Sequence, residues 1–215
     1  MMTLENYRTK NLSTSLLESY HNKLVSPEEA VSKIKSGDRI LIHSNCAFPT
    51  TLVEALVKRK DELRDVKIFH ALAVGELPYL AEGMEESFRH QTYFIGGNSR
   101  KAVNEGRADF IPMHLAEIPL MFSKGVIIPD AVLINVSPPD EHGFCSFGIE
   151  VGLTKTGADK AKMVIAQINS NMPRSLGDSF IHISKIDFLT EVDEPLKELK
   201  QAPGEIDPAL SSLYT

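Results

Sequence analysis

"SPEEAVSKIKSGDRILIHSNCAFPTTLVEALVKRK", residues 26–60, decides the fold. Ser26 stands where a helix-capping hydroxyl belongs, Pro27 occupies the first helical position, and Glu29 follows three residues past the cap, which is the capping-box spacing. Gly37 supplies the stop. "RILIHS", 39–44, is mostly apolar and reads as a buried strand; the loop "NCAFP" follows, and a second helix runs from Thr50 to about Lys60. Helix, strand, loop, helix is the unit from which covered parallel sheets are assembled.

The same alternation continues outward without becoming a sequence repeat. Strands are expected at "VKIFHALAV" (66–74), "QTYFIGG" (91–97), "ADFIPM" (108–113), "AVLINVS" (131–137) and "KMVIAQI" (162–168). Helices are expected at "SRKAVNEG" (99–106), "AEIPLMFSKG" (116–125) and "VGLTKTGADKA" (151–161). Short apolar strands alternating with helices predict an α/β fold with an open, mainly parallel sheet and helices on both faces. "FIHISKIDFLTEV" (180–192) instead alternates in polarity, as a half-exposed edge strand or hairpin does. The organisation expected is an N-terminal arm over 1–25, one α/β domain over 26–194, and a Pro-containing polar linker over 195–215 leading toward a second domain.

Bulk properties exclude several classes. With 215 residues the chain can bury a substantial core. A formal net charge of -6, with 23 Lys and Arg residues scattered along the chain, argues against a nucleic-acid partner. No run approaches the roughly 20 apolar residues of a membrane span, and the polar N-terminus has no signal-peptide core, so no membrane partner is expected. Two cysteines, Cys46 and Cys145, suit a reducing, cytoplasmic setting better than a disulfide framework.

Ligands of open parallel sheets bind outside the carboxyl ends of the strands, so the residues just after each strand are the candidates. These are Ser44, Asn45 and Cys46; Gly75 and Glu76; Gly96, Gly97, Asn98 and Ser99; the loop "SPPDEHGFCSFG" (137–148) with His142; and Asn169. "FIGGNSRKAV" offers backbone N–H groups at a helix start, yet it lacks the dinucleotide pattern G-x-G-x-x-G, and a tight turn that uses Gly for its backbone freedom explains its glycines better than an anion cradle does. Asp140, Glu141 and His142 are consecutive and match no metal-site spacing; they read either as a rigid turn or as a pocket wall. Asp178, Ser179 and His182 do not form a triad, because no nucleophile elbow is present and triad members come from separate segments. His43, His70 and His182 lie in strand patterns and read as structural, His21 and His90 as surface, and Cys46 as a reduced structural thiol.

Taken together, "SPEEAVSKIKSGDRILIHS", "GGNSRKAVNEGRADFIPMHLAEIPLMF", "DAVLINVSPPDEHGFCSFGIEV" and "INSNMPRSLGDSFIHISKIDFLTE" resemble the N-terminal half of the acetyl-CoA hydrolase/transferase family, and within it the 4-hydroxybutyrate CoA-transferase branch. The resemblance implies transfer of coenzyme A, a co-substrate and not a bound cofactor, from an acyl-CoA to a small carboxylate through a glutamyl thioester. It implies that the nucleophilic Glu belongs to a second CoA-transferase domain, so no catalytic residue and no metal site are expected in 1–215. Ser44, Asn45, Gly96, Gly97 and Asn98 would offer neutral donors to a carboxylate or a developing oxyanion, with Cys46, Glu76, His142 and Asn169 completing the wall. Some members of the branch carry His in the loop where this chain has Ser44, Asn45 and Cys46, which leaves the acid open among acetate, butyrate, propionate, succinate and 4-hydroxybutyrate. Acyl-CoA hydrolysis, and a non-catalytic carboxylate-binding module, are the alternatives. Apolar surface awaiting the second domain would favour a homo-oligomer.

Overall fold

A computed structural model describes residue 9 and residues 12–199; of the linker expected over 195–215, residues 200–215 lie outside the described residues. In chain order the elements are α1 (Thr14–Lys23), α2 (Pro27–Val31), β1 (Arg39–Ile42), α3 (Thr50–Val57), β2 (Val66–His70), β3 (Phe88–Thr92), α4 (Arg100–Asn104), β4 (Ala108–Phe110), α5 (Ile118–Ser123), β5 (Ala131–Val136), β6 (Phe144–Ser146), α6 (Gly152–Lys160), β7 (Val164–Asn169), β8 (Phe180–His182) and β9 (Phe188–Val192). Single 3-10 turns lie at Pro78–Leu80, Leu115–Glu117 and Ile183–Lys185.

Seven strands form one sheet in the order β4-β3-β2-β1-β5-β7-β9, every neighbouring pair parallel. The order follows from the burial pattern. Strands β5 and β7 are buried at all six positions and therefore need cover on both faces. One face packs Leu41, Phe69, Tyr93, Val132 and Ile134 against Ile118 and Phe122 of α5 and Leu153 of α6. The other packs Ile40, Ile42, Ile68, Leu133 and Ile165 against Ala30 and Val31 of α2 and Leu52, Val53 and Leu56 of α3. From β1 the chain steps outward through β2, β3 and β4, then returns to β5 on β1's other side. The order reverses there, and the crevice between the carboxyl ends of β1 and β5 is where such sheets take ligands.

The expected α2 forms with Ser26 as cap, its Oγ accepting from Glu29 N at 3.1 Å, but the helix closes at Val31. Residues Thr14–Lys23, inside the expected arm, are helical. Tyr20 is fully buried there and donates its hydroxyl to Glu191 at 2.7 Å.

The alternating segment 180–192 holds an edge strand as expected, β9, lying parallel beside β7 past the Ile183–Lys185 turn, and before it β8, which pairs antiparallel with β6. Two local readings are corrected. The third strand lies at Phe88–Thr92, earlier than "QTYFIGG" suggested. That shift places His90, expected at the surface, at zero exposure in mid-strand, its ring 4.5 Å from that of His70.

Candidate functional site at the carboxyl rim

The loop leaving β1 is tied to the loop leaving β2. Asn45 N donates to Leu72 O at 2.6 Å and Val74 N donates to Asn45 O at 3.2 Å, so the two loops bridge at Asn45 and Ala73. Holding that bridge puts Asn45 at φ 54, a left-handed backbone that a residue with a side chain adopts at a cost. Its side chain is exposed and makes no hydrogen bond among the described residues. Cys46 is half-buried beside it.

The remaining candidates separate into rim and frame. Ser44 is fully buried and its Oγ accepts from Ala71 N at 3.2 Å. Asn98 spends its amide on two carbonyls, Ala73 O at 2.8 Å and Gly75 O at 2.7 Å, clamping the β2 and β3 loops together. Asn169 is fully buried; it donates to Glu194 O at 3.0 Å and accepts from Asn171 N at 3.0 Å. Glu76 and Gly97 are exposed on the rim and Gly96 is half-exposed. Glu76 borders a recess of about 310 Å³ that Phe48, Thr50, Glu54, Pro78 and Lys197 complete. His142 is exposed in the turn before β6, with its carbonyl held by His182 at 3.0 Å, and does not join the β1–β2 cluster. Asp140 caps that turn by accepting from His142 N and Phe144 N and pairs with Arg174 at 2.8 Å.

The opening of β1 toward β5 holds a group that the sequence reading did not single out. His43 is fully buried, and its Nδ1 accepts from Asn135 N of β5 at 3.2 Å. A main-chain N–H can only donate, so the imidazole proton sits on Nε2. That Nε2 donates to Glu150, lying 2.7 Å from its carbonyl oxygen and 3.2 Å from its carboxylate. Thr154 Oγ1 donates to the same carboxylate at 2.7 Å, and the Ser44 N–H faces it too. Burial alone would raise the Glu150 carboxyl, but the hydrogen bond and the electrostatic attraction of His43, with further hydrogen bonds from Thr154 and the Ser44 N–H, outweigh it and hold the group below the usual carboxylate range. Glu150 falls between β6 and α6, in "FGIEVG", where neither spacing nor motif marks it. A side chain at Gly152 would collide with its Oε1.

The segment after β9 then crosses the rim. Glu194 accepts from Thr51 of α3 and from Gln167 of β7, and its carbonyl takes both Asn169 and Asn171. Asp193 accepts from Ser170 at 2.7 Å. Lys197 ends over the Phe48 ring, 5.1 Å from its centroid. The Asn-rich loop at 169–171 therefore serves to fasten this strap.

A parallel sheet covered by helices on both faces, with a small antiparallel pair beside it, defines an α/β domain. The chain belongs to the acetyl-CoA hydrolase/transferase family, whose N-terminal domain it matches over residues 8–198. It is 46% identical over 194 residues to the 4-hydroxybutyrate coenzyme A transferase of Clostridium kluyveri, covering 90% of this chain and 45% of that protein. It is 38% identical over 179 residues to a succinyl-CoA:acetate/propanoyl-CoA:succinate CoA transferase of Fasciola hepatica, covering 82% and 37%. Among solved structures it superposes on the 4-hydroxybutyrate CoA-transferase of Porphyromonas gingivalis with a TM-score of 0.73 at 30% identity, covering 85% of this chain and 42% of that one. The chain thus spans less than half the length of the relatives it matches.

Proposed function

We propose that this chain forms the acyl-side half of a CoA-transferase that moves CoA from an acyl-CoA to a short-chain carboxylic acid. The observation that carries the reading is the 46% identity to a 4-hydroxybutyrate coenzyme A transferase across 194 residues. The placement of the candidates is compatible with it: Asn45 is exposed and Cys46 half-buried in the loop leaving β1, and Glu76, Gly96 and Gly97 lie in the loops leaving β2 and β3. Ser44, Asn98 and Asn169 brace those loops from within. The nucleophilic Glu that becomes the glutamyl-CoA thioester is supplied by a second domain facing this rim, with CoA as co-substrate. Hydrolysis differs only in whether water reaches that thioester. Domain limits near 26 and 194, a cytoplasmic setting and a homo-oligomeric assembly belong to the same reading.

The test is CoA exchange between acetyl-CoA and labelled 4-hydroxybutyrate or butyrate, run with this chain and with the complete product of its reading frame. Activity in the complete product and none in 1–215 is expected. Turnover by 1–215 alone would overturn the division of labour and turn attention to Glu76 and Glu141 as nucleophiles. Silence in both would favour the binding module.

A further inference from the structure

Strand register sets three cations in one row across the sheet. Arg39 of β1 stands directly beside Lys67 of β2, and Lys67 stands beside Arg89 of β3. Residues so paired share a face, and like charges in that relation destabilise a sheet. Arg89 is neutralised by Asp109, which accepts from its Nε at 3.0 Å. The other two cations have no such partner. Lys67 reaches Asp65 at 3.7 Å in an ion pair whose acid is 69% exposed, a contact worth little. The Arg39 guanidinium makes no hydrogen bond or salt bridge among the described residues. Asp130 attracts it but gives its oxygens to the Arg39 N–H at 2.8 Å and to Lys162 Nζ at 2.6 Å.

Arg39 and Lys67 border a recess of about 260 Å³ between this face and the turn after α5, where Phe69, Val126 and Ile127 form an apolar wall and Tyr93 contributes its phenol. The Tyr93 hydroxyl makes no hydrogen bond among the described residues. Burial pushes it up to about 12, so it remains a neutral donor. A second recess of about 400 Å³ adjoins at Arg39 and Val126 and runs to Gly37 and Asp130, just before β1 and β5. The opening therefore faces the amino ends of the strands, away from Asn45, Glu76 and Gly97. Donors without a strong partner, set around an apolar wall, have the composition of a pocket for an organic anion.

We infer that this recess binds a small organic carboxylate, its charged end between Arg39 and Lys67 with the Tyr93 hydroxyl as third donor, and its hydrocarbon body against Phe69, Val126 and Ile127. The site is separate from the carboxyl rim, and the inference does not rest on the transferase reading. Inorganic phosphate would meet the same cations but leave the apolar wall uncovered, which favours an acid with a hydrocarbon body. A carboxylate seated there also relieves the repulsion between Arg39 and Lys67, which is the role that like charges in one register row otherwise lack.

The experiment uses the complete product of the reading frame and 4-bromobenzoate, whose bromine locates the ligand by anomalous scattering while calorimetric titration measures its affinity beside that of inorganic phosphate. Bromine is expected between Phe69 and Ile127. Arg39→Gln and Lys67→Gln should each weaken binding there about tenfold or more, with the thermal midpoint unchanged or raised because a like-charge contact is removed. Val126→Glu guards against a neutral variant that fails to fold. Val126 is 59% exposed, so the change leaves the core undisturbed, and the new carboxylate at the mouth should weaken binding as strongly. Bromine found only at the carboxyl rim, or an affinity that no folded variant changes, overturns the inference. Phosphate bound as tightly as 4-bromobenzoate overturns the assignment to an organic acid.

Discussion

Asn45 holds a left-handed backbone that glycine would adopt freely. Asn45→Gly should leave stability unchanged or raise it by up to about 1 kcal/mol, while Asn45→Val should cost about 1–2 kcal/mol; chemical denaturation reads both. A loss of acyl-group affinity in the stabilised glycine variant would separate the role of the amide from that of the backbone. The buried imidazoles make a second residue-scale prediction. Burial, together with the charge of His90, pushes His70 well down, and burial lowers His90 to about 4. The unfolded chain therefore takes up protons near pH 6.5 that the folded protein refuses, so stability is full above that value and falls as pH drops toward 4. The His90 share of the loss is on the order of 3 kcal/mol, and urea unfolding at pH 7 and pH 4.5 measures it; a flat profile would contradict the dry packing of the pair. Sequence gave no hint of that packing. "FRHQT" reads as surface because Arg89, His90 and Gln91 are polar, whereas the strand keeps its charge by pairing Arg89 with Asp109 on β4 and sinks His90 beneath Tyr79.

Elements were legible where the local signal and the tertiary demand coincide. The Ser26 cap, Pro27 and the apolar β1 run needed nothing beyond their own residues, and each lies where its chemistry placed it. In the 180–192 segment Ile181, Ile183, Ile186 and Leu189 are all buried, so polarity alternates through a turn that ends one strand and starts another, and the edge strand expected there is only its second part, β9. What holds that turn is Lys23 on α1, whose ammonium donates to Ile183 O at 2.7 Å, Ser184 O at 3.3 Å and Ile186 O at 2.6 Å. Lys23→Met removes all three bonds and leaves the carbonyls short of donors, a cost of about 1–3 kcal/mol, with hydrogen exchange accelerating first at 183–189. Gly148 supports the β6 side in a similar way. It sits at φ 67, and a methyl group there would collide with Met172 Sδ and the Pro173 carbonyl. Gly148→Ala should destabilise by about 2 kcal/mol or more, seen as a lowered thermal midpoint. The candidate site was legible only as a set of strand ends. Which ends present free groups depends on hydrogen bonds between segments far apart in sequence, and so Asn45 stays open while Asn98 and Asn169 are spent.

Across the whole molecule, the strap at 193–199 joins the two wings of the sheet by fastening α3, β7 and the β1 loop through Glu194 and Lys197. Glu194→Ala should open this segment locally, raising exchange and proteolysis after Val192 with a modest loss of global stability, about 1–3 kcal/mol. Equal acceleration throughout the sheet would show the strap to be part of the core. The strand order has another consequence, which concerns time. The first strand made is the central one, and its second neighbour, β5, begins at residue 131, about 90 residues after β1 ends at residue 42. At a synthesis rate of roughly 5–20 residues per second, one edge of the central strand β1 waits about 5–20 s on the ribosome with its ladder groups unpaired. The nascent chain therefore depends on being shielded from its neighbours during that interval, and translation speed through 43–130 becomes a determinant of how much folded protein is made.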